Sequence, residues 1–232
     1  MNLLAPLLVL PVALLAVTLH EFAHAWMIVR LGDETPRERG RWTLDPWAHF
    51  DVAGCLVLVC AALIGAPLVT WGRPVIFDRE KLREPKLDVF WVHLAGPLCN
   101  LAQAAFWLSM LWLARLALPE IDAASWQEIA RLQPANEPAQ IVAAVLVAGV
   151  LLNVCTAGFN LIPLPPLDGY FVLREMGPKH WGLFFARLGI GSYLLLFASL
   201  PALKYLLAPF VILARTALHF VIGLPTSNIE AF

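Results

Sequence analysis

The feature that most constrains the fold is the apolar run from Leu3 to Val29, which is long enough to cross a membrane as a helix. Near its C-terminal end the run carries His20, Glu21 and His24 in the order His-Glu-Phe-Ala-His. Ionisable side chains are costly inside a bilayer, so their presence there points to a functional site. The run therefore predicts a first membrane helix with reactive groups toward its C-terminal end.

The spacing of the two histidines indicates what these groups can do. Residues four apart lie on one face of an α-helix, about 40° apart around its axis. The rings of His20 and His24 can therefore reach one metal ion, and Glu21 beside them suits a general base acting on water at that metal. The alternative is a hydrogen-bonded pair of interfacial histidines, with Glu21 at the helix end.

Composition extends the membrane assignment to the whole chain. Of its 232 residues, 60% are hydrophobic and 14% are charged, which is typical of an integral membrane protein. The formal net charge of −1 indicates no nucleic-acid partner. The length predicts one membrane domain over residues 1–232, without a separate soluble domain. The first run lacks a basic leading region, so we expect no cleavable signal peptide.

Apolar segments alternate with polar loops after the first run. They lie at Val52–Val69, Val89–Leu118, Ile141–Leu164 and Trp181–Leu224, and the last is long enough for two spans or for one span and an interfacial helix. We predict an all-α polytopic membrane protein with about five to six apolar segments. One of these is a re-entrant or short β segment near the active site. Residues 1–173 are predicted to form the catalytic core and residues 174–232 the C-terminal membrane helices.

Several polar residues beside the apolar segments have more than one interpretation. His49 and Asp51 could contact a metal or substrate, but hydrogen bonding at the interface is the simpler interpretation. His93 is predicted to be interfacial, and Asn100 to join helices or to orient a ligand. All four cysteines lie in apolar runs without a CxxC pair, so we expect buried hydrophobes and no disulfide; they are Cys55, Cys60, Cys99 and Cys155.

A second informative stretch ends the Ile141–Leu164 segment and reads Asn160-Leu-Ile-Pro-Leu-Pro-Pro-Leu-Asp168-Gly169. Three prolines before Asp-Gly cannot remain in a regular helix. Non-helical backbone at membrane depth requires surrounding protein or a wet cavity. A catalytic zinc usually has three protein ligands and one open position, and Asp168 is the best candidate for the third ligand. The alternative is an ordinary turn where the helix leaves the membrane.

These motifs, in this order, resemble the site-2 protease family of intramembrane zinc metallopeptidases, in its compact bacterial form without a PDZ domain. The resemblance covers Leu3–Leu173 and includes Ala95-Gly96-Pro97 with Asn100. It implies that His20 and His24 are ligands of one zinc ion per chain. It likewise implies that Glu21 is the general base and that Asp168 is the third ligand.

The resemblance also implies how a substrate is held. Asn160 matches an asparagine that contacts the substrate carbonyl or its oxyanion. The Trp71–Phe77 stretch matches an edge strand that pairs with an unwound substrate. The implied activity is cleavage of single-span membrane proteins within or near the bilayer, so that a transmembrane substrate and the lipid bilayer are the partners.

Two other functions stay open at this point. One is a metal-binding transporter or sensor, which would favour internal repeats and further intramembrane carboxylates. The sequence shows neither by eye. The other is an inactive protease-like scaffold, for which the loss of Glu21 would be expected, although Glu21 is present.

A shared metal also constrains the topology. Two helix ends that contribute to one zinc must lie on the same side of the membrane, so the first helix and Ile141–Leu164 run parallel and Val89–Leu118 returns between them. Val52–Val75 must then enter the membrane and come back. That arrangement puts most basic residues on one side of the membrane and only Arg131 in the Pro119–Gln140 loop on the other side. We expect the basic-rich side to be the cytoplasmic side of a bacterial inner membrane. The basic-rich face contains Arg30, Arg37, Arg39, Arg41, Arg79, Lys81, Arg83, Lys86, Arg174 and Lys179.

Overall fold

The computed structural model of the chain describes residues 4–64, 68–118, 121, 123–130, 132, 137–178, 180, 184–185 and 203–223. Within these residues all regular structure is helical, and four helices are long and apolar enough to cross a membrane. The predicted all-α polytopic class is confirmed. The α-helices are α1 (Leu4–Leu31), α2 (Thr35–Glu38), α3 (Pro46–His49), α4 (Val52–Ile64), α5 (Pro85–Ala117), α6 (Ala123–Ala130), α7 (Pro138–Asn160), α8 (Asp168–Met176) and α9 (Leu203–Ile222).

The three central helices run in the predicted directions. His24 of α1 contacts Val92 of α5, and His20 contacts Asn100, so residue numbers fall along α1 as they rise along α5. Asn100 in turn contacts Asn153 of α7. Trp107 of α5 lies against Gly149 of α7, so residue numbers also fall along α7 as they rise along α5. Both α1 and α7 are therefore antiparallel to α5, and they run parallel to each other with their C-terminal ends on the same side.

The chain between α1 and α5 makes no net crossing. Helix α4 has 13 residues, or about 20 Å, which is too short for a hydrocarbon core of about 30 Å. Asp33 lies two residues after the end of α1, and its Oδ2 accepts a hydrogen bond of 2.6 Å from the backbone N–H of Asp78. The two ends of the excursion are therefore joined, as the predicted re-entrant segment requires. Residues 65–67, where the sequence predicts its turn, lie outside the described residues.

The returning part of the excursion, residues 68–78, forms neither helix nor strand. The predicted edge strand at Trp71–Phe77 therefore has no β-ladder among the residues that the structure describes. Instead, the N–H of Arg73 donates to the carbonyl of His49 at 2.8 Å, and the Arg73 carbonyl accepts from the Arg41 guanidinium. A Cβ at Gly54 would lie 2.3 Å from the Trp71 carbonyl oxygen, so α4 packs directly on the returning backbone.

The apolar core is centred on α7. Seventy-two per cent of its most apolar 18-residue stretch is buried, compared with 22% of the corresponding stretch of α9. The connection between α5 and α7 contains α6, which packs on the bundle, because Trp126 and Ile129 are fully buried in the core. A Cβ at Gly149 would lie 2.4 Å from the Trp107 ring, so α5 and α7 approach closely.

The outer elements differ in part from expectation. Helix α9 packs on α7, where a Cβ at Gly158 would lie 2.5 Å from the Phe210 ring. Most of the predicted apolar segment before α9, residues 186–202, lies outside the described residues. Cys155 is buried as predicted, but Cys55 and Cys99 are half-buried and Cys60 is exposed. Cys60 lies on the exposed side of α4, where the other exposed side chains, among them Leu56 and Ile64, are also apolar.

Thiol labelling tests this topology. In a background with the four native cysteines replaced by alanine, Glu34→Cys and Arg83→Cys should react from the same side of sealed vesicles, because both lie beside the joined ends of the excursion. Glu128→Cys on α6 should react from the opposite side. All three side chains are exposed. Labelling of Glu34→Cys and Arg83→Cys from opposite sides would contradict the re-entrant fold.

Candidate metal centre

Three predicted metal ligands meet at the joined ends of α1 and α7. His20 and His24 lie one turn apart on α1, and their Nε2 atoms are 3.0 Å from each other. The first residue of α8, Asp168, places Oδ2 at 3.3 Å from the Nε2 of His20 and at 3.4 Å from that of His24. All three side chains are buried. Among the described residues, this is the one group of three or more histidine, cysteine, aspartate or glutamate donors that converges.

The donor set fits zinc. A tetrahedral zinc with bonds of about 2.0–2.1 Å holds its ligand atoms roughly 3.3–3.4 Å apart, which is close to the three separations between the donor atoms. Two imidazole lone pairs and a carboxylate oxygen also repel one another at these distances, unless a cation or a proton lies between them. Three protein ligands leave the fourth tetrahedral position open, as in catalytic zinc sites.

Helix α5 supplies the groups that orient both histidines. The Nδ1–H of His20 donates to the side-chain oxygen of Asn100, and the Nδ1–H of His24 donates to the Val92 carbonyl at 2.7 Å. With the hydrogen on Nδ1, each Nε2 presents a lone pair to the metal position. Asn100 is itself fixed, because its Nδ2 donates to Asn153 Oδ1 at 2.9 Å. Asn100 thus joins α5 to α7 and contacts a predicted ligand, which fits both of its predicted roles.

Gly96 makes room for the metal centre. A Cβ at this position would lie 2.4 Å from His24 Nε2 and 2.6 Å from His20 Nε2. Any side chain here would therefore occupy the metal position or displace both rings. This close approach explains why the middle residue of the Ala95-Gly96-Pro97 motif, on the helix that faces the histidines, is a glycine.

The structure corrects the interpretation of His93, which the sequence predicted to be interfacial. Its Nδ1 lies 2.9 Å from Asp168 Oδ1, and its ring stacks on Phe171 at 4.2 Å with an interplanar angle of 10°. A signal was available in the sequence. His93, Gly96 and Asn100 are spaced three and four residues apart and so share one helix face, which is the face turned to the metal centre.

The returning segment of the excursion crosses Glu21, which follows the predicted metal ligand His20 in the chain. A Cβ at Gly72 would lie 2.7 Å from Glu21 Cγ and 2.9 Å from its Oε1. Glu21 is 6% exposed, and its carboxylate makes no hydrogen bond within the described part of the chain. Trp71 flanks this crossing and stacks near Phe159 of α7, with ring centroids 6.3 Å apart. The Glu21 carboxylate is therefore buried and forms no hydrogen bond with the described residues.

Two further candidates from the sequence have structural contacts. His49 Nε2–H donates to the Thr43 carbonyl at 2.8 Å, and burial lowers the pKa of this histidine. Asp51 Oδ1 accepts the N–H of Gly54 at 2.9 Å and caps α4. Both therefore hold the re-entrant excursion and are not among the metal donors.

Asn160 is the last residue of α7 and is buried. Its Nδ2 donates to the Thr156 carbonyl at 3.0 Å. An amide carries two N–H groups, so one donor is not used by this bond. Its contact with a substrate stays a prediction.

Helix α8 is anchored so that Asp168 faces the histidines. A Cβ at Gly169 would lie 2.2 Å from the Leu161 carbonyl oxygen, so the start of α8 lies directly against the end of α7. At the other end, Glu175 binds Arg79 through two hydrogen bonds of 2.8 and 2.7 Å. Burial raises the pKa of Glu175, but hydrogen bonds from Arg79 and Arg174 outweigh it, so the pKa is lowered.

Curated proteins similar to this chain are named zinc metalloproteases. The Bacillus subtilis (strain 168) protein "Putative zinc metalloprotease YwhC" is 31% identical over 175 residues, which cover 75% of this chain and 71% of that protein. "Putative zinc metalloprotease Rip2" of Mycobacterium tuberculosis (strain ATCC 25618 / H37Rv) is 34% identical over 165 residues, covering 69% of this chain and 54% of that protein. The Rip2 of Mycolicibacterium smegmatis is 32% identical over 183 residues, covering 73% and 61%.

The chain thus spans about half to three-fifths of the Rip2 proteins that it matches. No protein-family model matches the chain, and no solved structure matches it. The names of the relatives and the buried donor group together confirm the prediction that the cofactor is zinc.

Filling the space at Gly96 should remove the metal. Gly96→Ala should purify with less than one-tenth of the wild-type zinc content, because the added methyl group displaces both imidazoles. Gly158→Ala is the matched control, since it adds the same methyl group against Phe210 of α9. Metal content of the purified proteins measures the effect. Equal zinc in Gly96→Ala and wild type would contradict the assigned position of the metal.

Removal of the carboxylate ligand tests Asp168 directly. Asp168→Ala should lose zinc, since it removes one of three protein donors. Asp45→Ala is the control, because Asp45 is an exposed aspartate that caps α3. Zinc titration against a competing chelator measures both affinities. Full zinc occupancy with unchanged affinity in Asp168→Ala would show that Asp168 is a turn residue.

Proposed function

This chain belongs to the family of zinc metalloproteases that includes YwhC and Rip2, and from that membership we propose that it is a site-2-type intramembrane zinc endopeptidase. The proposed substrates are single-span membrane proteins, cleaved within or near the bilayer. The proposal goes beyond the names of the relatives in two respects, which are the membrane depth of the chemistry and the class of substrate.

One observation carries the proposal. His20, Glu21 and His24 lie inside a span of 25 apolar-rich residues, Leu7–Leu31, and all three are buried among helices. A peptide bond can reach them only at membrane depth. Single-span proteins are substrates that present peptide bonds at that depth. An active site at the membrane surface would need these groups outside the membrane-spanning part of the helix.

The chain supplies binding, orientation and proton transfer. His20, His24 and Asp168 hold the metal, while Asn100 and the Val92 carbonyl keep the two imidazoles in the metal-binding tautomer. Zinc, when bound, would act as a Lewis acid and lower the pKa of a coordinated water to about 7. The Glu21 carboxylate accepts a proton from the attacking water and delivers it to the leaving amide nitrogen.

The surrounding segments are placed to hold an unwound substrate. A helical peptide bond is shielded by its own hydrogen bonds, so the substrate must be locally extended. Residues 71–77 pass over Glu21 with irregular backbone, and the free edge of this segment is the proposed site of substrate pairing. The unused N–H of Asn160 is the proposed donor to the substrate carbonyl.

We also propose an orientation in a bacterial inner membrane. The joined ends of α1, α5 and the excursion carry exposed basic residues, among them Arg37, Arg79 and Lys81. Basic residues concentrate on the cytoplasmic side. The metal centre would then lie nearer the cytoplasm, with the N-terminus outside.

The variant Glu21→Gln separates metal binding from catalysis. Against a panel of single-span membrane proteins in detergent, wild type should cleave a substrate within its span. Glu21→Gln should bind a full equivalent of zinc and cleave about 10²–10⁴-fold more slowly, because the proton acceptor is gone. Mass spectrometry of the fragments locates the cleaved bond, and metal analysis gives the zinc content.

The exposed Glu34 provides a matched control, and Glu34→Gln should cleave at the wild-type rate. Cleavage by Glu21→Gln at the same rate would remove Glu21 from the mechanism. Zinc uptake into vesicles without any cleavage by the loaded protein would favour the transporter alternative over the peptidase.

A further inference from the structure

The two oxygens of Asp168 have different partners. Oδ2 lies 3.3 and 3.4 Å from the two histidine Nε2 atoms and therefore faces the metal position. Oδ1 lies 2.9 Å from the Nδ1 of His93. A carboxylate oxygen can only accept a hydrogen bond, so Nδ1 of His93 carries the hydrogen and donates it. One oxygen of the carboxylate thus faces the metal position, and the other accepts a hydrogen bond from α5.

We propose that His93 is a positioning residue that makes Asp168 a one-oxygen ligand of the metal. A carboxylate can bind a metal through one oxygen or through both. The hydrogen bond from His93 holds Oδ1 away from the metal position and leaves Oδ2 facing it. The fourth coordination position then stays open for water and substrate.

The orientation of His93 is fixed by the same helix that carries the ligand. Phe171, three residues after Asp168 on α8, stacks on the His93 ring at 4.2 Å. Phe77, from the returning segment, meets the ring edge-on with centroids 6.0 Å apart. Since the ring contacts α8 both through Phe171 and through Asp168, it can turn only if α8 moves. His93 therefore links the position of α5 to the orientation of the Asp168 carboxylate.

An isosteric pair of variants isolates this hydrogen bond. His93→Asn places its amide Nδ2 at the position of the imidazole Nδ1, whereas His93→Leu has the same shape without a donor. We expect His93→Leu to bind zinc about 10–100-fold more weakly than wild type, as is usual when a group that orients a ligand is lost. His93→Asn should restore most of that affinity. His93→Phe is a second variant without the donor, and it keeps an aromatic ring against Phe171.

Zinc affinity is measured by chelator competition on the purified full chain, and cobalt(II) replaces zinc for a visible spectrum. Wild type and His93→Asn should give the intense bands of a four-coordinate cobalt site. His93→Leu and His93→Phe should give weaker bands, because Oδ1 is free to become a second ligand atom. Both readouts need no substrate. The inference rests on the proposed function only for the use of the open position, so a failure to find proteolysis would leave this test intact.

Equal zinc affinity of His93→Asn and His93→Leu, with the same cobalt spectrum, would overturn the proposal and leave His93 as a packing residue. If His93→Leu does not fold, the comparison is made between His93→Asn and His93→Phe. Tighter zinc binding by His93→Phe than by His93→Asn would likewise show that the ring matters and the donor does not.

Discussion

The structure depends on the convergence of two imidazole lone pairs and a carboxylate inside a bundle of apolar helices. These groups repel one another and lose hydration on burial, so their arrangement is favourable only with a cation or a proton between them. Zinc meets this requirement and has the tetrahedral geometry that separations of 3.0, 3.3 and 3.4 Å demand. Every helix around the site contributes to holding these three donors. Helix α1 presents the histidines, α5 orients them, and α7 brings α8 and its carboxylate to the same level.

The shared metal explains the topology as well as the chemistry. Parallel α1 and α7 require the chain between α1 and α5 to return to its starting side, and the bond between Asp33 and Asp78 closes that excursion. The excursion in turn carries irregular backbone to membrane depth, where its polar groups need partners. Arg41 and the His49 carbonyl provide them for Arg73. The same irregular segment crosses Glu21. It therefore both completes the return of the chain and buries the proposed base.

Local spacing made much of the site predictable. The four-residue interval of His20 and His24 fixes their common face, and the proline-rich end of α7 marks Asp168 as a carboxylate on unwound backbone. The re-entrant excursion followed from the need for two helix ends to share one metal. These inferences use either one helix or one geometric constraint, and neither depends on the details of side-chain packing.

Other parts depend on how separate helices rotate against each other, which hydropathy does not encode. His93 lies near the start of an apolar segment and was therefore predicted to be interfacial, but its role depends on α8 returning beneath it. Asn153 was not singled out, because its partner Asn100 lies on another helix. The Trp71–Phe77 stretch was predicted as a strand from its resemblance to a family motif, whereas its partners in the structure are an arginine side chain and a single main-chain bond.

X-ray absorption spectroscopy of the zinc-loaded protein tests the central claim most directly, because it reports the atoms bound to the metal without any substrate. The structure predicts two imidazole nitrogens and one carboxylate oxygen at about 2.0–2.1 Å, one further light atom and no sulfur. A sulfur neighbour at about 2.3 Å, or a zinc shell with fewer than two imidazoles, would contradict the assignment of His20, His24 and Asp168.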